Sequence, residues 1–238
     1  MTRNSEQIQA IFDRIAPVYD QMNDWLSLGQ HRIWKQMAVS WSQAQPGDTA
    51  LDLCCGSGDL TYLLAREVGV DGTVYGVDFS SQQLAIARSR PAPVSFSTAP
   101  MTWIEADVLN LPFSENTFDC ATMGYGLRNV IDIPTSLKEL HRVLKPGAIA
   151  AILDFHRPNS VVLQQFQQWY LDYLVVPLAE TKGLKPEYAY INPSLERFPD
   201  GQQQVAISRS VGFTSATHYA IAGGMMGVLV IQKSKISN

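Results

Sequence analysis

The sequence predicts an α/β fold built on a mostly parallel sheet. Three observations carry that expectation. Stretches of strand character alternate with stretches of helical period from Thr49 to Phe155. The first strand, Thr49 to Cys54, is apolar on both faces, as a central parallel strand covered by helices must be. It runs into the turn Gly56-Ser57-Gly58, and about one βαβ unit later Val74-Tyr75-Gly76-Val77-Asp78 ends in a carboxylate.

Each element follows from local signals. Ile8, Ile11, Phe12 and Ile15 recur at helical spacing until Pro17 interrupts them, and a second helix is expected from His31 to Trp41. Pro46-Gly47-Asp48 is a turn into the first strand. A helix follows from Asp59 to Val68, closed by Gly69, then strand Thr73 to Asp78 and helix Ser81 to Arg90. Residues 91–100, rich in Pro and Ser, read as a mobile surface loop. Strands are expected over Met101–Ala106 and Phe118–Gly124, a helix over Pro134–Leu144 stopped by Lys145-Pro146-Gly147, and a strand over Ala148–Phe155. Val161 to Pro177 is aromatic, amide-rich and helical in pattern, whereas 178–200 is rich in Tyr, Pro and charge and reads as an insertion or lid. Residues 201–211 are helical again, and Phe213–Ile221 and Gly227–Gln232 close the chain as strands.

Composition narrows the function. Apolar residues make up 46% and charged residues 17%, ordinary for a globular chain of 238 residues. A net charge of −4 lacks the Lys/Arg excess that a nucleic-acid surface needs. Cys54, Cys55 and Cys120 do not make a disulfide framework, which points to a reducing compartment, and no Cys/His spacing suggests a metal. Met1 to Glu6 lacks the apolar core of a secretory signal, and no stretch reaches the roughly 18 apolar residues of a membrane span. A cytoplasmic protein, at most peripheral to a membrane, is expected.

The glycine turn carries the chemistry. The dinucleotide fingerprint needs a third glycine where Thr61 stands, and Asp59 at the helix N-terminus would repel a pyrophosphate. Asp52 adds a second negative charge beside Gly56, Ser57 and Gly58. Two carboxylates around a glycine turn suit a cation, and S-adenosyl-L-methionine, with its sulfonium and ammonium, fits. Asp78 at the end of strand two stands where a carboxylate grips a ribose diol. Asp107 would accept from the adenine amino group while the Val108 amide faces the ring. Any one of these aspartates alone reads equally well as a loop cap; their order along the chain carries the assignment.

These residues resemble the class I S-adenosylmethionine-dependent methyltransferases in three places. Asp52 to Gly58 is similar to the first motif, Asp78 to the second, and Leu140-His141-Arg142-Val143-Leu144-Lys145-Pro146-Gly147 to the post-helix motif. Longer stretches are more specific: Phe12 to Asp20, Met22-Asn23, Leu26 to Gly29, His31 to Lys35, Gly124-Tyr125-Gly126-Leu127-Arg128-Asn129-Val130, and Tyr190 to Pro199. They resemble the ubiquinone/menaquinone C-methyltransferase family (UbiE type). The resemblance implies a seven-stranded, Rossmann-like sheet with helices on both faces. It also implies one methyltransferase domain: an N-terminal helical cap (1–45), a cofactor-binding core (46–156), a substrate lid (157–200) and C-terminal strands (201–238). By the same match Ser57, Asp78, Asp107, Val108 and Gly124 take cofactor-contacting places. Leu-Cys-Cys-Gly-Ser-Gly, with Gly223-Gly224-Met225-Met226-Gly227 in place of a histidine-containing motif, looks like the cyanobacterial and plant branch. That branch methylates 2-phytyl-1,4-naphthoquinone in phylloquinone synthesis, which argues against ubiquinone as the acceptor.

The implied reaction is methylation of a ring carbon of a reduced naphthoquinol, an electron-rich nucleophile. Arg128 and Asn129 follow strand four on the cofactor side and are the expected catalytic pair: Arg128 to stabilise the phenolate or order a water, Asn129 to orient a ring oxygen. Arg128 reads alternatively as an ion pair holding its loop. With a pKa above about 12, arginine is a poor base. Tyr19 would close over the site, and His156 is a rival base, or else a loop histidine bonded to backbone. Phe166, Trp169, Tyr170, Leu171, Tyr173, Leu174, Val175 and Val176 are the candidate wall of a groove for the prenyl chain, although plain helix packing uses such stripes more often. A transient contact with a membrane surface, and a homodimer, are compatible with this reading. Methylation of demethylmenaquinol or a tocopherol precursor, an NAD-dependent oxidoreductase, and a non-catalytic scaffold remain open alternatives at this point.

Overall fold

The computed structural model describes residues 5–16, 27, 29–91 and 98–235. Two helices, α1 (Ser5–Ile15) and α2 (Gln30–Trp41), precede the sheet. The alternating core runs β1 (Thr49–Leu53), α3 (Asp59–Val68), β2 (Thr73–Asp78), α4 (Ser81–Ser89), β3 (Met101–Glu105), β4 (Phe118–Gly124), α5 (Ile133–Val143) and β5 (Leu144–Phe155). A helical segment follows: α6 (Val161–Tyr170), a π-helical turn (Leu171–Val175), α7 (Val176–Glu180), α8 (Lys185–Ala189) and α9 (Ile191–Arg197). Helix α10 (Gly201–Ser210) and strands β6 (Ser215–Ile221) and β7 (Met226–Gln232) complete the chain.

The sheet order is β3-β2-β1-β4-β5-β7-β6. Strands β1 to β5 pair in parallel, and β7 runs antiparallel between β5 and β6. The order reverses between β1 and β4, so a crevice opens at their C-terminal ends, where doubly wound sheets hold ligands. Leu51 and Leu53 of β1 pack into one core cluster with Leu137 and Leu140 of α5. Ala50 packs into the other with Leu60, Leu64 and Val68 of α3 and Ala38 and Val39 of α2. This alternation is why β1 had to read as apolar on both faces.

Three boundaries differ from the sequence expectation, each for a local reason. Helix α5 ends at Val143, and Leu144 opens β5 opposite Phe118. Pro146 disfavours helical backbone at Lys145, so the chain extends early and crosses a register shift at Gly147, whose φ is +85°. Helix α6 does not stop at Pro177. The preceding π-helical turn widens the backbone, and Pro177 falls in the first turn of α7, where its missing N–H costs no intrahelical bond. Residues 185–197 are helical as well, because Pro186 and Pro193 again occupy first turns. Leu184, Tyr188 and Leu195 build a small third core with Leu171, Val175 and Ile15 of α1. The middle of the expected surface loop, 92–97, lies outside the described residues.

Leu140, 1% exposed in the core away from the crevice, reports on fold stability alone. Leu140→Ala is expected to cost ~2–5 kcal/mol, lowering the melting temperature by roughly 5–15 °C, while leaving ligand affinity unchanged; calorimetry with and without ligand checks this.

Candidate active site

The turns after β1, β2, β3 and β4 surround a narrow cavity. Asp52, Gly56, Ser57, Asp78, Asp107, Val108 and Gly124 line it, seven of the eight expected cofactor residues. Gly58 does not line it. It is the N-cap of α3 at φ +93°, where a Cβ would come within 2.6 Å of the Trp103 ring, so its role is to shape the turn. Gly126 has a similar reason for being glycine: a Cβ there would sit 2.5 Å from Cys54 Cβ. Cys54 and Tyr125, which directly follow β1 and β4, both adopt positive φ, 51° and 59°. The two loops thus approach as closely as backbones allow, and burial holds the Cys54 and Cys55 thiols protonated, as packing residues.

The carboxylates differ in state. Asp52 is fully buried and accepts the hydroxyls of Thr61 at 2.6 Å and Thr122 at 2.9 Å; burial nevertheless pushes its pKa up to about 7. Asp78 accepts the Gly56 N–H at 2.8 Å and the Ser80 N–H at 2.9 Å, and burial raises it to about 6. Asp107 stands at the rim and accepts the Leu109 N–H at 2.9 Å. Asp59 is different from its sequence reading. Burial alone would raise it, but Lys35 at 2.5 Å and Arg90 at 2.6 Å overcome that and pull it down to about 2. Its charge is spent on those two cations and is not left over for a ligand.

A second, larger cavity of about 390 Å³ adjoins the first. Ile11, Ile15, Trp34, Phe155, Phe166, Tyr170, Leu171 and Val175 give it an apolar wall. Tyr125 and Asn129 line both cavities. So the predicted wall on α6 and the turn after it divides: Phe166, Tyr170, Leu171 and Val175 line the cavity, Trp169, Tyr173 and Leu174 are exposed, and Val176 packs against the small third core. Helix α1 roofs both spaces, with Ile8 on the first and Ile11 and Ile15 on the second. It is held by Gln9 donating to the Phe79 carbonyl at 2.6 Å and Ser80 donating to Asp13 at 2.5 Å.

Arg128 lines the second cavity on a 3₁₀ turn (Leu127–Asn129). It forms a buried ion pair with Asp154 and donates through Nε to Ser194 Oγ at 2.8 Å. The loop-holding ion pair is therefore present, on the cavity wall itself. Asn129 donates to the Tyr125 carbonyl at 3.1 Å. His156 is placed apart from both cavities. It borders a polar depression with Asp200 and Gln203 and packs on His218, ring centroids 4.5 Å apart. Burial lowers both, His218 to about 4. Tyr19 lies outside the described residues.

The sequence matches the profile described as the ubiE/COQ5 methyltransferase family over residues 1–233. The chain belongs to this family. It is 67% identical over 229 residues to the 2-phytyl-1,4-naphtoquinone methyltransferase of Trichormus variabilis, covering 96% of this chain and 100% of that one. It is 50% identical over 230 residues to the chloroplastic 2-phytyl-1,4-beta-naphthoquinone methyltransferase of Arabidopsis thaliana, covering 96% and 88%. Among solved structures, a putative S-adenosyl-L-methionine-dependent methyltransferase from Methanococcus maripaludis superposes with TM-score 0.65 at 19% identity, covering 100% and 99%. A SAM-dependent methyltransferase from Aquifex aeolicus does so at 0.60 and 18%, covering 83% and 88%. These likenesses show the fold, a class I methyltransferase sheet.

Four residues of this family member's site escaped sequence reasoning: Lys35, Tyr125, Thr61 and Thr122. Lys35 and Tyr125 lay inside the family-like stretches, but nothing marked Lys35 as the partner of Asp59 or Tyr125 as the shared wall. The threonines carry no sequence signal, because only the sheet register brings Thr122 beside Asp52. Because the Asp52 pKa is raised from 3.8 to about 7, its contribution to the stability of the unliganded protein is present at low pH and lost as pH rises through about 7. Melting temperature against pH should therefore fall less steeply between those values for Asp52→Asn than for the parent chain, and a cationic ligand should bind the parent more weakly below about pH 7.

Proposed function

We propose that this chain transfers the methyl group of S-adenosyl-L-methionine to a ring carbon of a prenylated naphthoquinol, the reduced form of 2-phytyl-1,4-naphthoquinone. The methyltransferase activity itself follows from family membership. The observation that carries the acceptor is the meeting of two unlike cavities at Tyr125 and Asn129. One is lined by carboxylates and glycine turns, the other mostly by aromatic and aliphatic side chains. The relatives at 67% and 50% identity are named for 2-phytyl-1,4-naphthoquinone, which supports the same assignment.

When bound, S-adenosyl-L-methionine supplies an electrophilic methyl group on a sulfonium. The residues present fit it. Asp78, with its carboxylate ordered by two backbone N–H groups, would take the ribose hydroxyls. Asp107 and Val108 would take the adenine edge. Asp52, at about 7, ionises readily beside a cation. On the acceptor side, Arg128 presents a guanidinium fixed by Asp154 and Ser194, a pre-oriented positive charge for a developing phenolate. Asn129 has its Nδ2 engaged by Tyr125, which leaves Oδ1 to accept a ring hydroxyl. Apolar walls and the α1 roof exclude water and hold the ring against the donor, and such positioning supplies much of the rate.

No helix among the described residues is long and apolar enough to cross a membrane. The outward face of α6 suggests how a lipid acceptor is reached. Val162, Phe166 and Trp169 form an exposed stripe on a segment without a charged residue from Val161 to Leu171, and Tyr173, exposed one turn on beside Asp172, extends it. Phe166 also lines the second cavity, so the stripe adjoins it. Trp and Tyr favour the headgroup region of a bilayer, so this face docks the protein on a membrane surface by hydrophobic rather than electrostatic contact.

Incubation with methyl-labelled S-adenosyl-L-methionine and chemically reduced 2-phytyl-1,4-naphthoquinone should yield labelled phylloquinone after reoxidation; no product from any reduced naphthoquinone would overturn the proposal. Arg128→Lys, which keeps a positive charge beside Asp154 but loses the forked geometry, should lower turnover by at least ~100-fold with donor affinity unchanged in calorimetry. The pair Trp169→Gln and Tyr173→Gln should reduce co-sedimentation with zwitterionic vesicles several-fold, with little dependence on salt.

A further inference from the structure

Glu187 lies on α8 and lines the second cavity. Its side chain is 4% exposed. One carboxylate oxygen, Oε1, pairs with Nη1 of Arg14 on α1 at 3.0 Å. The other, Oε2, is buried without a hydrogen-bond partner among the described residues. Buried carboxylate oxygens are ordinarily bonded, because stripping their water without replacement is costly. The ion pair supplies the counter-charge a buried carboxylate needs, and the second oxygen stays unsatisfied on a residue that lines the cavity.

We propose that Glu187 Oε2 accepts a hydrogen bond from a hydroxyl of the acceptor ring, and that this contact makes the enzyme select the quinol over the quinone. The assignment rests on the naphthoquinol reading above. An ionised carboxylate is an acceptor only. A quinol hydroxyl donates to it; a quinone carbonyl has no hydrogen to give and would set lone pairs against lone pairs in a desolvated site. Arg128, a donor, can bond an oxygen of either oxidation state and so cannot make the distinction; Asn129 Oδ1, a neutral amide oxygen, adds a weaker preference of the same sign, and the charged Glu187 carboxylate carries most of it. Glu187 therefore acts on specificity, guarding against occupation of the site by the unreactive oxidised acceptor. A site built to bond a hydroxyl rejects the analogue lacking it, because its own polar group is then stranded.

The test is equilibrium binding of 2-phytyl-1,4-naphthoquinone, held reduced with dithionite or oxidised in air, in the presence of S-adenosylhomocysteine, read by quenching of tryptophan fluorescence. The parent protein should bind the reduced form at least ~10-fold more tightly. Glu187→Gln, whose amide offers a donor, should bring the two affinities together, the quinone gaining and the quinol losing. Glu187→Asp, still an acceptor only, should keep the preference in weakened form. If Glu187 merely anchors α1 through Arg14, both affinities shift together and their ratio stays at the parent value, which overturns the assignment. Equal binding of the two forms by the parent protein overturns it without any variant. Methyl transfer to the quinol by the parent protein separates the two proposals: transfer with an unchanged ratio sinks only the role of Glu187, and absence of transfer sinks the naphthoquinol reading itself.

Discussion

Arg128 and Asp154 form an ion pair buried at the end of β5, and the Asp154 carboxylate also accepts the Arg128 N–H at 2.9 Å and the Phe155 N–H at 2.7 Å. Through Arg128 Nε the same pair reaches Ser194 on α9. A central strand, the turn bearing Asn129 and the helical segment beyond the core are thereby tied at one point. Burial pushes the Asp154 carboxyl up, and Arg128 opposes it, so each charge depends on the other being present. The partition between the two cavities stands on this knot. Tyr125 and Asn129 hold position because the backbone carrying them is pinned from beneath, and the guanidinium on the wall of the second cavity is aimed by the same bonds.

The fold was legible from Thr49 to Phe155 because parallel strands covered on both faces leave an unmistakable apolar run, and helices between them leave a period. Its edges were less so. Lys145-Pro146-Gly147 reads as a helix stop, yet Pro146 lies within an irregular strand, and Pro177, the last residue of the expected helical stretch, lies in the first turn of a resumed helix. A proline restricts the residue before it and forfeits one donor; what the chain does next is settled by tertiary contacts. At the site, Asp78 and Asp107 were legible because their positions at strand ends follow from topology. The condition of Asp59 was not. Its partner Arg90 lies 31 residues away, and only folding brings Lys35 of α2 to the same carboxylate. For Arg128 the structure shows the ion pair that holds its loop, one of the two readings its sequence offered; the charge toward an acceptor belongs to the proposed function. His156 faces a different depression, because side chains alternate along the extended chain and the preceding Phe155 takes the side of the second cavity.

The carboxylates around the glycine turn form a graded set. Asp59 is neutralised by Lys35 and Arg90, while Asp52 and Asp78 are held by hydroxyls and backbone N–H groups and form no ion pair among the described residues. The protein thus keeps negative charge in reserve at the base of the crevice and cancels it at the mouth of α3. A cation entering the crevice finds the uncompensated groups deepest, where the low dielectric makes them most effective.

Helix α1 places Ile8 over one cavity and Ile11 and Ile15 over the other, one turn apart. The two cavities therefore share a single helix as their ceiling. Enlarging the second cavity from above shifts a helix that also bears on the first, so on the proposed function changes there trade one affinity against the other. The floor on α6 has no such coupling: Phe166 and Tyr170 touch the second cavity alone. Redesign of chain-length preference, in evolution or in the laboratory, has its open route through that floor.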